Sequence, residues 1–305
     1  MSTSSAFDLP PLPSSLLRLT TSLHQYSPGA ICSSSSLSFT ASFSSCGAHH
    51  PKTAALLTAL DRSRLDLSKA LQLGDNVSTA AACERYLPLI RRLLLSCEVQ
   101  PTTAVLDAPL SFSWQGGLEG DGGGGVIGKV RESEAIMYEV TMVMGTLAVA
   151  NAGSGCDHSL AGDYSAACSS FKSAASVLYH LHSSHIPSWT ALGKTGGEEE
   201  MPAECVGAVC EGFQGIFLGH AQQMAVAKAM EGPLEKVNMS LLSKLTKGTE
   251  SSFSTLASHL RSTAPIHFCR LPPQYLSYVA FQEALQRALS VYFQARFEWS
   301  EGKER

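Results

Sequence analysis

Gly123-Gly-Gly-Val-Ile-Gly128-Lys129 fits the spacing GxxxxGK. Such a loop cradles phosphates because its glycines let backbone N–H groups approach the oxygens, and its lysine adds charge. The pattern also asks for Ser or Thr next, to hold a metal ion, and this chain has Val130. No buried strand leads into the stretch, and a glycine run meets GxxxxG by composition alone. A flexible loop is therefore favoured over a nucleotide site. Gly193-Lys194-Thr195 supplies GKT, but Ser188 stands where the first glycine belongs and Trp189 and Leu192 fill the interior, so it reads as a connector. His180, His182 and His185 are spaced by two and three residues. Paired metal ligands on one helix face prefer the i, i+4 spacing of HExxH, whereas cationic groups at a helix C-terminus are favoured by the dipole. These three are expected to be helix-end histidines. His49-His50 have no visible partner. Cys205 and Cys210 are five apart, on poorly aligned helix faces with no general base placed beside them, and core packing is the expected role. No GxSxG elbow or paired-carboxylate pattern is present, so no catalytic, cofactor-binding or metal-ligating residue is assigned.

The elements that would position any site are mostly helical. Leu56, Leu57, Leu60, Leu65, Leu67 and Leu71 follow helical steps from Thr53. Gly74 is the expected C-cap, and Ser78 the expected N-cap of a second helix running to about Cys97. A short strand is expected at Leu110–Trp114 and another at Thr40–Ser44. A glycine-rich loop covers Gly116–Gly128. Helices follow near 131–152, 162–183, 200–231, 234–262 and 273–299, with breaks at 184–199 and at Pro265–Pro273. Ala135–Gly153 is too rich in Glu139, Thr141, Gly145 and Thr146 for a membrane span and is read as a buried helix within a bundle. Long helices with medium connectors predict a mainly α solenoid or extended bundle, and no strict 34-residue repeat supports a simple tetratricopeptide array.

The chain has 305 residues, is 44% hydrophobic and only 16% charged, and carries a net charge of −4. Globular domains are usually about 25% charged, so many helix surfaces should pack on others. The mildly acidic balance argues against nucleic acid as the main partner and against a polybasic membrane anchor. Nine cysteines without a CxxC predict reduced thiols rather than a disulfide framework or zinc ribbon. Residues 1–52 form a Ser-rich segment expected to be irregular, with Pro10, Pro11, Pro13 and Pro28 opposing helix, and 53–305 the helical domain. The alternative is an organelle-targeted helical scaffold, plastid or mitochondrial, whose residues 1–60 are a transit peptide.

Several segments, in order, resemble the BRO domain of the ALIX- and Bro-one-like endosomal sorting adaptors. Ala82–Cys97 followed by Ser111-Phe-Ser-Trp114 resembles the family's aromatic helix and its F-x-W strand. Ser133–Asn151, with Tyr138-Glu139, resembles the helix that opens with Phe-Glu, and Thr146 stands near the family's Asn. Phe171–Leu181, with Ala174-Ala175, resembles the F-x-x-AA helix. Gly219-His-Ala-Gln-Gln223, Lys228-Ala229 and Leu241-Leu-Ser-Lys-Leu245 resemble the paired Q-A-Q-E, K-A and I-A-K-L helices, and Tyr275–Trp299 the helix after them.

The resemblance implies a curved helical solenoid with a tetratricopeptide-like core, acting without catalysis or cofactor. It implies cytoplasmic, endosome-associated localisation through partners. It also implies binding of the C-terminal amphipathic helix of an ESCRT-III subunit of the charged multivesicular body protein type. The matching partner-binding positions are Ala225, Leu241 and Leu245. Ala225 stands where relatives carry a large aromatic residue. Ser2 replaces the glycine needed for myristoylation, the C-terminus is not a prenylation box, and the family's last helices are expected to be missing.

Overall fold

The computed structural model describes residues 14–32, 37–100, 105–119, 129–191, 200–232 and 237–303. Its long helices are α4 (Pro51–Leu73), α5 (Asn76–Val99), α6 (Ile136–Leu160), α7 (Tyr164–His180), α9 (Gly207–Met230), α10 (Met239–Thr263) and α12 (Pro273–Lys303). Shorter helices are α1 (Ser14–Thr20), α2 (Phe39–Ser42), α3 (Ser44–His49), α8 (Ile186–Ala191) and α11 (Pro265–Arg270). Along the chain α4 packs on α5, α5 on α6, α6 on α7, α7 on α9, α9 on α10 and α10 on α12. The result is a mainly α, curved solenoid with one small sheet. That sheet is antiparallel, with β2 (Phe112–Gln115) between β1 (Ala30–Ile31) and β3 (Arg131–Ser133). Ile31 lies opposite Trp114, and Trp114 opposite Arg131.

Helix α6 is buried without a break from Tyr138 to Ala150. A helix apolar on every side must be covered on every side, and α5 and α7 flank it. Its one deeply buried acid, Glu139, is fully partnered. Arg64 Nε of α4 and Tyr86 OH of α5 donate to Oε1 at 2.9 and 3.0 Å, and Trp114 Nε1 of β2 donates to Oε2 at 2.5 Å. A buried charge is tolerable only when paired and hydrogen-bonded, and here the pairing joins α4, α5 and the sheet to α6.

Glycine 74 closes α4 in the left-handed region, with φ at 69°, where a Cβ would be strained. The cap of α5 differs from the expectation. Asp75, not Ser78, is the N-cap, and its carboxylate accepts from Ser78 N at 2.9 Å. The strand expected at Thr40–Ser44 is also corrected, since Phe39–Ser42 is helical. Ser38 caps this short helix by accepting from Ala41 N at 3.2 Å, and Asp61 on α4 accepts from Phe39 N at 2.6 Å and Thr40 N at 3.1 Å, so a tertiary contact completes the cap. Residues 184–191 of the expected break at 184–199 are helical, and 192–199 lie outside the described residues. Helix α7 continues through a π turn, Leu181–His185, into α8 without a break, and that wider turn, in which Ile186 N donates to Leu181 O, accommodates Pro187 within the helix. Likewise Pro265 starts α11 inside the expected break of 265–273. The start of the helix expected at 131 is strand β3, and α6 begins at Ile136.

Tyr26, Phe39 and Phe43 belong to the main core, which is continuous from α4 to the start of α12. A smaller core of Val226, Leu242, Leu289 and Phe293 lies between α9, α10 and α12, with Leu16 of α1 packed against it.

Candidate functional site

Helices α9 and α10 lie antiparallel. Thr249 Oγ1 donates to Gln222 Oε1 at 3.3 Å, and the backbone of Gly219 comes close to Ser252. Carried one turn further, the same register sets Ala225 level with Thr246, beside Leu245. Asn238 caps α10 by accepting from Leu241 N at 2.9 Å, which fixes where the helix starts, and packing on α9 and α12 fixes which face is buried. Leu242, Thr246 and Thr249 point into the protein, whereas Leu241 and Leu245 share the outer face. Leu241 is 51% exposed, Leu245 is half-buried against the smaller core, and Ala225 is exposed between buried Met224 and Val226. Lys244, one residue before Leu245, is exposed. The surface is thus an apolar strip between two helices with exposed Lys244 beside it, and among the described residues it carries no paired acid.

Below this strip is a buried polar clamp. Tyr26 OH pairs with His220 Nε2 at 2.9 Å, and His220 Nδ1 with Gln223 Oε1 at 2.6 Å. Gln223 Nε2 donates to Gln282 Oε1 at 2.8 Å, and Gln282 Nε2 donates to Ser22 O at 2.7 Å. Since Gln223 donates onward, its oxygen accepts from Nδ1, and Nε2 is left to accept from Tyr26. Burial pushes His220 down to about 4, keeping it neutral. The clamp fastens residues 22–26 to α9 and α12.

The other chemistry-bearing residues do not converge. Residues 123–128 of the glycine-rich stretch and the whole of Gly193-Lys194-Thr195 lie outside the described residues, and Lys129 is exposed. His185 Nε2 pairs with Thr141 Oγ1 at 3.1 Å, and His182 Nε2 with Gln214 Oε1 at 2.8 Å. Each imidazole is held by a different neighbour. Cys205 and Cys210 are buried, and desolvation raises both thiols. Cys210 Sγ donates to Glu204 O at 3.3 Å. Among the described residues no group of three or more His, Cys, Asp or Glu is arranged to hold a metal ion. No helix among them is long and apolar enough to cross a membrane.

A family model for the BRO1-like domain matches residues 42–304. The chain belongs to the BRO1-like domain family. Its fold is similar to the BRO1 domain of ALIX solved in complex with CHMP4C, at 15% identity and a TM-score of 0.69, covering 92% of this chain and 75% of that one. A Bro1 domain solved as a structural basis for endosomal targeting matches at 14% identity and a TM-score of 0.70, over 92% and 72% of the two chains. ALIX in complex with a SIVmac239 late domain matches at 14% and 0.65, over 92% of this chain and 38% of that one. A search of curated proteins finds no match. In this BRO1-like domain, the residues most like the family's motifs are largely internal. Glu139, Trp114, Phe171, His220 and Gln223 are all buried. They build the fold on which the exposed strip is carried.

Proposed function

We propose that this BRO1-like domain is a non-enzymatic adaptor of endosomal sorting and membrane remodelling. It binds the C-terminal amphipathic helix of an ESCRT-III subunit along Ala225, Leu241 and Leu245. The observation that carries this reading is Leu241, a large apolar side chain left 51% exposed at the α9–α10 seam beside half-buried Leu245. A helix-in-groove partner recognises its site through apolar anchors three or four residues apart, and this strip offers matching contacts. A solved relative of the same fold was captured with CHMP4C, which supports the choice of partner class. Association with the endosomal membrane is then peripheral and carried by the partner.

In cells, the tagged full chain should collect on multivesicular endosomes and co-precipitate an ESCRT-III subunit. The substitution Leu241→Asp should abolish both while leaving expression unchanged. Persistence of both with Leu241→Asp would remove this surface from the account.

A further inference from the structure

A second site lies far along the solenoid from the α9–α10 strip. A cavity of about 390 Å³ opens between α3, the first turn of α4 and the end of α5. That size falls within the roughly 300–1,000 Å³ usual for small-molecule clefts. Its wall is mostly apolar, drawn from Phe43, Leu56, Leu57, Leu93 and Val105, with the thiols of Cys46 and Cys97 between them and Ser45, Thr53, Ser96 and Gln100 as neutral polar neighbours. His50, Lys52 and Arg92 also line it, and no carboxylate does so among the described residues.

Charge makes the cavity selective. Lys52 and Arg92 are exposed, and among the described residues neither is held in an ion pair. Two acids stand near without lining it. Asp107 is engaged with α3, accepting from Ser45 N at 2.7 Å and from the hydroxyls of Ser44 and Ser45. Glu98 follows Cys97 on α5 and is exposed. The cavity also meets the start of α4, whose N-cap His50 makes no side-chain capping bond. Pro51 has no N–H to offer there, and the positive end of the 23-residue helix adds to the basic field. Apolar walls under unpaired cations fit an occupant with an apolar body and one negative head.

We propose that this cavity binds a small amphipathic anion, a carboxylate on a medium-length apolar tail, with Lys52 and Arg92 holding the head and Leu56, Leu93 and Cys97 lining the tail. Nothing in this inference depends on the partner surface between α9 and α10.

Octanoate, kept below its micelle concentration, is the probe for calorimetric titration of the full chain. Octanol supplies the tail without the charge, and acetate the charge without the tail. Octanoate should bind at one site per chain, more tightly than either control. It should also slow alkylation of half-buried Cys97, read by peptide mass spectrometry, while exposed Cys269 reacts at its usual rate. The double variant Lys52→Gln, Arg92→Gln changes only exposed side chains and should fold, and its octanoate affinity should fall about tenfold. Equal binding of octanol, unprotected Cys97, an unchanged affinity in the double variant, or no binding of octanoate would each overturn the proposal.

Discussion

At the scale of single residues, the strongest constraints are buried polar groups whose partners come from distant parts of the chain. Glu139 accepts from Arg64, Tyr86 and Trp114 at once. Removing it with Glu139→Ala leaves three donors facing a dry interior and should cost about 3–5 kcal/mol in urea denaturation. A cost below about 1 kcal/mol would mean that those donors find other partners. Two histidines add a pH dependence. Burial pushes His220 and His185 each down to about 4 from an ordinary value of 6.5. Their contribution to stability is whole above the unfolded value and is lost as pH falls from there toward 4, by up to about 3 kcal/mol each. Buried Glu204 acts in the opposite sense, because desolvation raises its carboxyl and its contribution is lost as pH rises through the folded value. The difference between wild type and His220→Gln isolates one histidine, and the variant's stability should fall less steeply across that window, by about one proton. The identities of Glu139, His220 and Gln223 were legible as family-like motifs, but their role was not. Apart from the contact between His220 and Gln223 themselves, their partners lie 25 to 194 residues away, beyond any local pattern.

At the scale of elements, periodicity revealed the long helices and missed short ones that tertiary contacts create. Helix α6 was legible because it is apolar on all sides, and Gly74 because a left-handed C-cap favours glycine. Phe39–Ser42 was not, because four residues show no periodicity and Asp61 of another helix completes the cap that Ser38 begins. Helices α8 and α11 were hidden by prolines that read as breaks, but Pro265 sits in the first turn of α11, and Pro187 is accommodated beside a π turn in a helix that runs on from α7. Close packing between elements gives a direct test. A Cβ at Gly145 of α6 would stand 2.7 Å or less from the Glu204 side chain. That side chain cannot yield freely, since it accepts from Gly117 N and Leu118 N at 2.5 and 3.1 Å. Gly145→Ala should therefore destabilise by about 1–3 kcal/mol despite Ala's higher helix propensity. Thermal melting checks this, and an unchanged midpoint would contradict so tight a contact. The N-terminal segment is similarly engaged, through Tyr26, Phe39 and Phe43. A chain starting at Thr53 should lose its cooperative melt, because Phe39 and Phe43 are each worth about 3–5 kcal/mol by truncation to Ala.

At the scale of the whole molecule, a low charge content becomes a series of helices each covered by the next, with apolar surface still open at places such as the strip between α9 and α10. That strip was readable in the sequence only through family likeness. Leucines at i and i+4 look the same whether they are core or surface, and only the packing of α10 on α9 and α12, which buries Leu242, Thr246 and Thr249, sets which way they face. The two leucines differ as probes. Leu245 packs against the smaller core, so changing it perturbs the fold, whereas Leu241 is 51% exposed and Leu241→Asp should alter stability by about 0.5 kcal/mol or less. Ala225 offers the converse test. Restoring a large aromatic by Ala225→Trp should strengthen partner binding, as aromatic anchors dominate such interfaces. The most direct measurement is a fluorescence titration of an ESCRT-III C-terminal helix peptide with wild type and with Leu241→Asp. The account predicts saturable binding by wild type and at least about tenfold weaker binding by the folded Leu241→Asp variant. Absence of binding by wild type, or equal affinity of the two proteins, would contradict it.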